Sequence, residues 1–352
     1  MKIRRGFKVV AALVLFSLLM AALAGCGSAD KKNQSSSNSG SASSSGSSGG
    51  GGGDGAKKLK VAFVAEGTVN DGGWTASALE GLNEIKKKLG AETAYSDQVS
   101  VAQQEQVIRT YAKNGYDLIY GHGFQYNEVF KKVAADYPNT TFIVVNGNVT
   151  GPNLDSTNFR FGELGYFTGL TAGYMTKSNT VGVIGTVEAP AVVADVDTFK
   201  QGVLKANPRA QVQVTYVGSW DDLQKGTEAA KALLSKGADV LLNLGNAFSV
   251  GVFGAAKEKR AYTIGWVTDQ MSMSPETVLT SGMQDVPTLY VKLAMLKKDG
   301  KLEGKVYNFG MKDGAQALAP FNDKLVPKDV QEKVNAAIKD YKDGKLQLDL
   351  KF

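Results

Sequence analysis

The chain has 352 residues, 43% hydrophobic and 21% charged, enough to bury the cores of about two domains and to exclude a wholly disordered or fibrous chain. One Cys excludes an internal disulfide framework and a cysteine-rich metal site, and one His, His122, excludes a histidine-cluster metal centre. Of the formal charge of +6, Lys2, Arg4, Arg5 and Lys8 supply four, leaving +2 beyond them. The basic balance is therefore a weak argument for nucleic acid, and no nucleic-acid partner is expected.

Residues 1–8 are basic, and 9–24 are an apolar run broken only by Ser17. A membrane span needs about 20 residues, so residues 1–25 read as a secretory signal. The run ends Leu23-Ala24-Gly25-Cys26, which resembles a bacterial lipobox. Cys26 is then the expected lipidation site, and two acyl chains would hold the protein on a cell membrane at its extracytoplasmic face. Residues 26–56 are mostly Ser and Gly and predict a flexible tether, spanning ~30 Å root-mean-square for ~30 residues.

From residue 57 onward strand and helix alternate. Residues 59–65 read as a buried strand and 74–89 as an amphipathic helix with Lys86, Lys87 and Lys88 near its C-terminal end. The pattern continues with a strand over 91–95, a helix over 101–113 stopped by Asn114-Gly115, a strand over 117–120, a helix over 127–136 and a strand over 141–145. A second round follows: strand 180–184, helix 198–206, strand 212–217, helix 223–236, strand 240–244, helix 249–259 and strand 262–267. Strands separated by helices of 10–15 residues imply βαβ units and parallel sheets, so the expected class is α/β with two doubly wound lobes.

Sheets of this kind bind ligands beyond the C-terminal ends of their strands. Those ends hold Asn70, Asp71 and Trp74, then His122 and Phe124, then Asn146, in the first round. In the second they hold Trp220-Asp221-Asp222, Asn246, Phe248, Trp266 and Asp269. Glycine, amides, carboxylates and aromatic faces together suit a nucleoside or another flat polar molecule. Each has a plainer role: Asp71 can cap the following helix, Trp74 and Phe248 can be core, His122 can be bonded within its loop, and Asp269 can cap a turn. Trp220 reads as a helix start.

Several stretches, in order, carry a resemblance: Asn70-Asp71-Gly72-Gly73-Trp74, residues 116–124, Tyr137-Pro138-Asn139, Glu163 to Gly173 (ELGYFTGLTAG), residues 236–240 and Asp269-Gln270. The chain resembles the basic membrane protein family of ABC-transporter substrate-binding lipoproteins, whose better-studied members bind purine nucleosides. The resemblance covers about residues 58–320. It implies the type I periplasmic-binding-protein fold, with lobe I formed by 57–163 plus about 279–310 and lobe II by 164–278. Residues 311–352 are left unassigned to a lobe.

It also implies a purine nucleoside or nucleobase as ligand, an ABC permease as partner, no cofactor and no catalysis. Asp269 corresponds to the family's ribose-contacting acid. Asn70, Asp71, Trp74, His122 and Phe124 would face the ligand from lobe I, and Asn246, Phe248, Trp266 and Asp269 from lobe II. The family often has Ser-Phe-Asn after its first loop Asp, where this chain has Gly72-Gly73-Trp74, so a free base or other heterocycle is open. The alternatives are a sensor built on the same body and a ligand such as a sugar. An enzyme is disfavoured because residues 66–73 lack G-x-G-x-x-G and the chain from residue 57 onward has no P-loop and no G-x-S-x-G.

Overall fold

The computed structural model describes residues 57–350 except Asn246. The expected signal segment, Cys26, the tether and the candidate Asn246 lie outside the described residues.

The first run of elements is β1 (Lys60–Val64), α1 (Trp74–Leu89), β2 (Glu92–Ser96), α2 (Val101–Lys113), β3 (Leu118–His122), α3 (Asn127–Ala134), β4 (Thr141–Val145) and β5 (Leu154–Phe159). Val61 to Val64, all of β3 and all of β4 are buried, as strands covered by helices on both faces must be. Local chemistry sets the helix ends: Gly90 closes α1 in a left-handed conformation, and Ser100 with Gln103 forms a capping box on α2.

The second run is α4 (Glu163–Met175), β6 (Thr180–Gly185), α5 (Pro190–Ala206), β7 (Gln211–Tyr216), α6 (Leu223–Ser235), β8 (Val240–Asn243), α7 (Ser249–Lys259), β9 (Tyr262–Val267) and β10 (Val278–Gln284). Then come α8 (Val286–Lys298), β11 (Val306–Phe309), β12 (Gln316–Leu318) and α9 (Lys328–Lys342).

Two six-stranded sheets result, ordered β11-β5-β4-β3-β1-β2 and β12-β10-β9-β8-β6-β7. The first is parallel throughout, and in the second only β12 runs antiparallel, beside β10. This is the expected α/β, doubly wound pair of lobes.

The chain crosses between the sheets after β5, after β10 and after β11. Residues 278–284 stay in the second sheet because β10 pairs along β9, so the return crossing falls after Gln284 and not near 278 as expected. Tyr290 of the following α8 packs in the first lobe's core with Phe63 and Leu82. The last residues belong with the second lobe: Val330, Val334 and Tyr341 of α9 join the core of Leu164 and Phe167. Glu163, fully buried, joins these parts. Its Oε2 accepts from Met311 N at 2.6 Å and its Oε1 accepts from the Tyr341 hydroxyl. Burial pushes its carboxyl up, while the Tyr341 and Met311 donors pull it down.

Helix α4 is buried along its length except at Tyr174, and its glycines at a four-residue spacing let α5 approach to backbone contact. A Cβ on Gly165 would lie 2.2 Å from the Asp195 carbonyl, and one on Gly169 2.2 Å from that of Phe199. This contact aims the N-terminal half of α5 at the gap between the lobes.

Candidate functional site

The C-terminal ends of both sheets face one cavity of about 490 Å³, ordinary for a small-molecule site. Its wall takes residues from the loops after β1, β3 and β4, from the crossings at Phe161 and Gln284, and from the loops after β6, β7, β8 and β9. All three tryptophans of the chain, Trp74, Trp220 and Trp266, stand in that wall, together with Phe124 and Phe161.

On the first lobe, Asp71 does two things. Its carboxylate accepts from Gly73 N at 2.9 Å, Thr75 N at 2.8 Å and Ala76 N at 3.0 Å, which caps α1, and it also lines the cavity. Trp74 begins that helix and stacks on His122 with ring centroids 4.2 Å apart. His122 Nε2 lies 3.0 Å from Trp74 O and Nδ1 lies 3.1 Å from Tyr290 Oη. A carbonyl can only accept, so Nε2 carries the proton and Nδ1 accepts from the tyrosine hydroxyl. Burial pushes the imidazole pKa down to about 4, so it is neutral. Phe124, 44% exposed, presents its ring to the cavity from the turn after β3. Asn146 lies in the wall with φ 57° and a buried Oδ1 that has no hydrogen-bond partner.

On the second lobe, Trp266 is the penultimate residue of β9, and Val267 at the end of the strand holds φ 71°, a costly conformation for a β-branched residue. Asp195 lies on α5, 3% exposed, and Oδ1 accepts from Gly162 N at 2.9 Å and Gly165 N at 3.3 Å. Burial raises its pKa to about 7, and the Glu163 charge adds to the rise. Asp221 is pushed up by burial and by Asp71 of the other lobe, while the Ala247 N–H pulls it down. Glu66, Asp71, Asp195 and Asp221 line the cavity, and no Lys or Arg among the described residues joins them. No group of three or more His, Cys, Asp or Glu among the described residues is placed to hold a metal ion.

Of the expected site residues, Asp71, Trp74, His122, Phe124 and Trp266 converge on the cavity; Asn70, Phe248 and Asp269 do not. Phe248 is fully buried in a core with Ile184, Leu233 and Val252, and a Cβ on Gly245 would lie 2.0 Å from its ring. Asp269 is exposed, and its Oδ1 accepts from Met271 N at 3.0 Å, which caps the turn after β9. Asn70 is also exposed. Trp220, read from sequence as a helix start, stands in the wall with Asp221. α5 begins at Pro190 and not at 198, so Asp195 lies inside a helix; the proline in its first turn is itself a helix-start signal. Glu163 pins the crossing and is not in the wall.

Two parallel α/β lobes joined by three crossings, with an aromatic and acidic cavity between strand ends, define a two-lobed solute-binding protein. The chain belongs to the Bmp family, described as ABC transporter substrate-binding protein PnrA-like, which matches residues 58–345. It is thus a substrate-binding protein of the ABC-transporter class and not an enzyme, and that class acts outside the cytoplasm with a small-molecule ligand and a permease as partners.

Among its relatives, the Transcriptional activator protein med of Bacillus subtilis is 33% identical over 82% of this chain and 90% of its own. A purine-binding protein of Brucella abortus is 32% identical over 80% and 81%. The solved structure of an ABC transporter system solute-binding protein from Conexibacter woesei is 30% identical, covers 83% of this chain and 99% of its own, and superposes with a TM-score of 0.68.

Proposed function

We propose that the protein captures a purine nucleoside or related nucleobase in the interlobe cavity and delivers it to an ABC permease, from a lipid anchor on Cys26. The observation that carries this reading is the wall itself: Trp74, Trp220, Trp266 and Phe124 around one cavity, interspersed with carboxylates and the Asn146 amide. Aromatic faces suit a flat ring, and carboxylates suit ring N–H groups and ribose hydroxyls. The purine-binding relative supports the same ligand class. Both lobes contribute contacts, so ligand stabilises the closed arrangement and shifts the population toward it, which is the form a permease would select.

The test is a thermal-shift screen of nucleosides, free bases, sugars and amino acids. A ligand at 100 times its Kd adds about 2.7 kcal/mol of stability, a rise of several degrees. The expected result is a rise with purine nucleosides that Trp74→Ala and Trp220→Ala reduce. A rise with sugars or amino acids and none with purines would overturn the ligand assignment. The anchor is tested separately: Cys26→Ala should release the protein from the membrane fraction and abolish fatty-acid labelling.

A further inference from the structure

Asp195 belongs to the cavity wall and to the hinge at once. Oδ1 holds the N–H groups of Gly162, in the first crossing, and of Gly165, in the first turn of α4. No hydrogen bond among the described residues reaches Oδ2. The residue is 97% buried yet forms part of the cavity wall. Its position is not adjustable, because the backbone contact between α4 and α5 at Gly165 fixes it. Oδ2 is thus the oxygen left for a cavity ligand, and an N–H or O–H donated to it would favour the ionised carboxyl. Glu66, Asp71 and Asp221 stand in the same wall with no Lys or Arg among the described residues, so an anion entering the cavity meets four acidic side chains and no counter-charge.

We propose that Asp195 is a ligand-contacting residue that ties recognition to the hinge: Oδ2 accepts from an N–H or O–H of an uncharged or cationic ligand while Oδ1 keeps hold of the first crossing. The inference rests on the interlobe cavity being the ligand site. It adds two things to the proposed function, a named acceptor and an exclusion of anionic ligands such as the 5′-monophosphates of the same nucleosides. A ligand that engages Oδ2 bonds to the group that fixes where α4 leaves the crossing, so ligand and hinge share one side chain.

The experiment is calorimetric titration of the full chain with adenosine, guanosine and inosine, their 5′-monophosphates, the free purines, glucose and arabinose. Wild type is compared with Asp195→Asn, with Asp195→Ser in case the first variant does not fold, and with Asp197→Asn, an exposed acid on the same helix. The wild type is expected to bind a nucleoside and to discriminate against its monophosphate. Asp195→Asn should weaken the nucleoside by about tenfold or more without weakening the monophosphate, so that the discrimination shrinks. Asp197→Asn should stay within about twofold of wild type.

Nucleoside binding within about twofold of wild type in Asp195→Asn overturns the inference and leaves the proposed function standing. An equal loss for nucleoside and monophosphate also overturns it, because that is the behaviour of a purely structural residue. If only a sugar binds, and Asp195→Asn weakens it by about tenfold, the purine assignment fails and the role of Asp195 stands. If nothing in the panel binds wild type, both fail.

Discussion

Trp74 and His122 lie ring on ring, 4.2 Å between centroids and 21° apart in plane, and the histidine also donates from Nε2 to the tryptophan carbonyl. The two residues are far apart in sequence, one opening α1 and the other closing β3, and Tyr290 of α8 completes the set by donating to Nδ1. Tyr120 stacks on Tyr290 in turn, at 4.0 Å. A connected series of rings therefore runs from the first lobe's core to the cavity, and it fixes the orientation of Trp74 before any ligand arrives. Replacing His122 by Ala removes the stack and leaves the Tyr290 hydroxyl without its acceptor. The expected cost is about 1–3 kcal/mol of unfolding free energy, read from urea midpoints, together with weaker ligand binding through a loosened Trp74. A His122→Ala protein as stable as wild type would contradict this.

The pH dependence of stability follows from two buried groups of opposite sign. The Asp195 carboxyl is raised from an ordinary value near 3.8 to about 7, chiefly by burial. The folded state therefore holds a proton that the unfolded state has released, and the stability this gives, complete below pH 3.8, is lost as pH rises towards 7. The His122 imidazole is lowered from 6.5 to about 4, again chiefly by burial. Its contribution is present above 6.5 and is lost as pH falls through 4. The two slopes oppose each other between about pH 4 and 6.5. Asp195→Asn should gain stability relative to wild type as pH rises from 4 to 7, and His122→Phe should gain relative to wild type as pH falls from 6.5 to 4. Urea midpoints at half-unit pH steps give both differences; curves for variant and wild type that run parallel would contradict the assignment.

Two aromatic residues of the second lobe should separate stability from binding. Phe248 is fully buried and packed under Gly226 and Gly245, so Phe248→Ala is expected to cost about 3–5 kcal/mol. Trp220 is 38% exposed at the rim of the cavity. Trp220→Ala should change the melting temperature little and lower ligand affinity by about tenfold. Melting and titration of both variants decide the matter, and equal effects on melting would show that the wall and the core have been confused.

The α4–α5 contact has no room for a side chain. Gly169→Ala would place a Cβ 2.2 Å from the Phe199 carbonyl, so the helices must separate. The expected loss is about 1–3 kcal/mol, and the shift of α5 should carry Asp195 away from Gly162. Reduced stability with altered binding in Gly169→Ala is the expected pair of observations. An unchanged melting temperature would mean that the helices separate without cost.

Much of the fold is legible in local pattern. Helices α1, α2 and α7 have one buried stripe, or clear stop signals, and their ends at Leu89, Lys113 and Lys259 coincide with those that periodicity predicts. Residues 163–175 form a helix buried on nearly every side, so they have no polar face and no period to read. β5 is missed for a related reason: Asp155, Ser156 and Thr157 are polar yet buried, Ser156 bonded to nearby Val149 but Asp155 and Thr157 satisfied from distant chain, by Lys305 N and Tyr307 O. A polar run satisfied by residues about 150 positions away looks like a loop.

The class of the protein can be read from the order of its residues, because the alternation of apolar strands and amphipathic helices is a local property and the family pattern is written along the chain. The same order marks the strand ends as the place for a site, since parallel sheets of this kind leave their ligand contacts there. Which side chains stand in the cavity depends on packing between distant elements. Asp269 and Phe248 lie at the right strand ends, but one satisfies its own turn and the other is closed over by Gly245 and Gly226. Asp195 lies inside a helix, where sequence offers no reason to single it out. It reaches the cavity because glycines on α4 admit the backbone of α5 to contact, a packing relation between two helices that neither segment specifies alone.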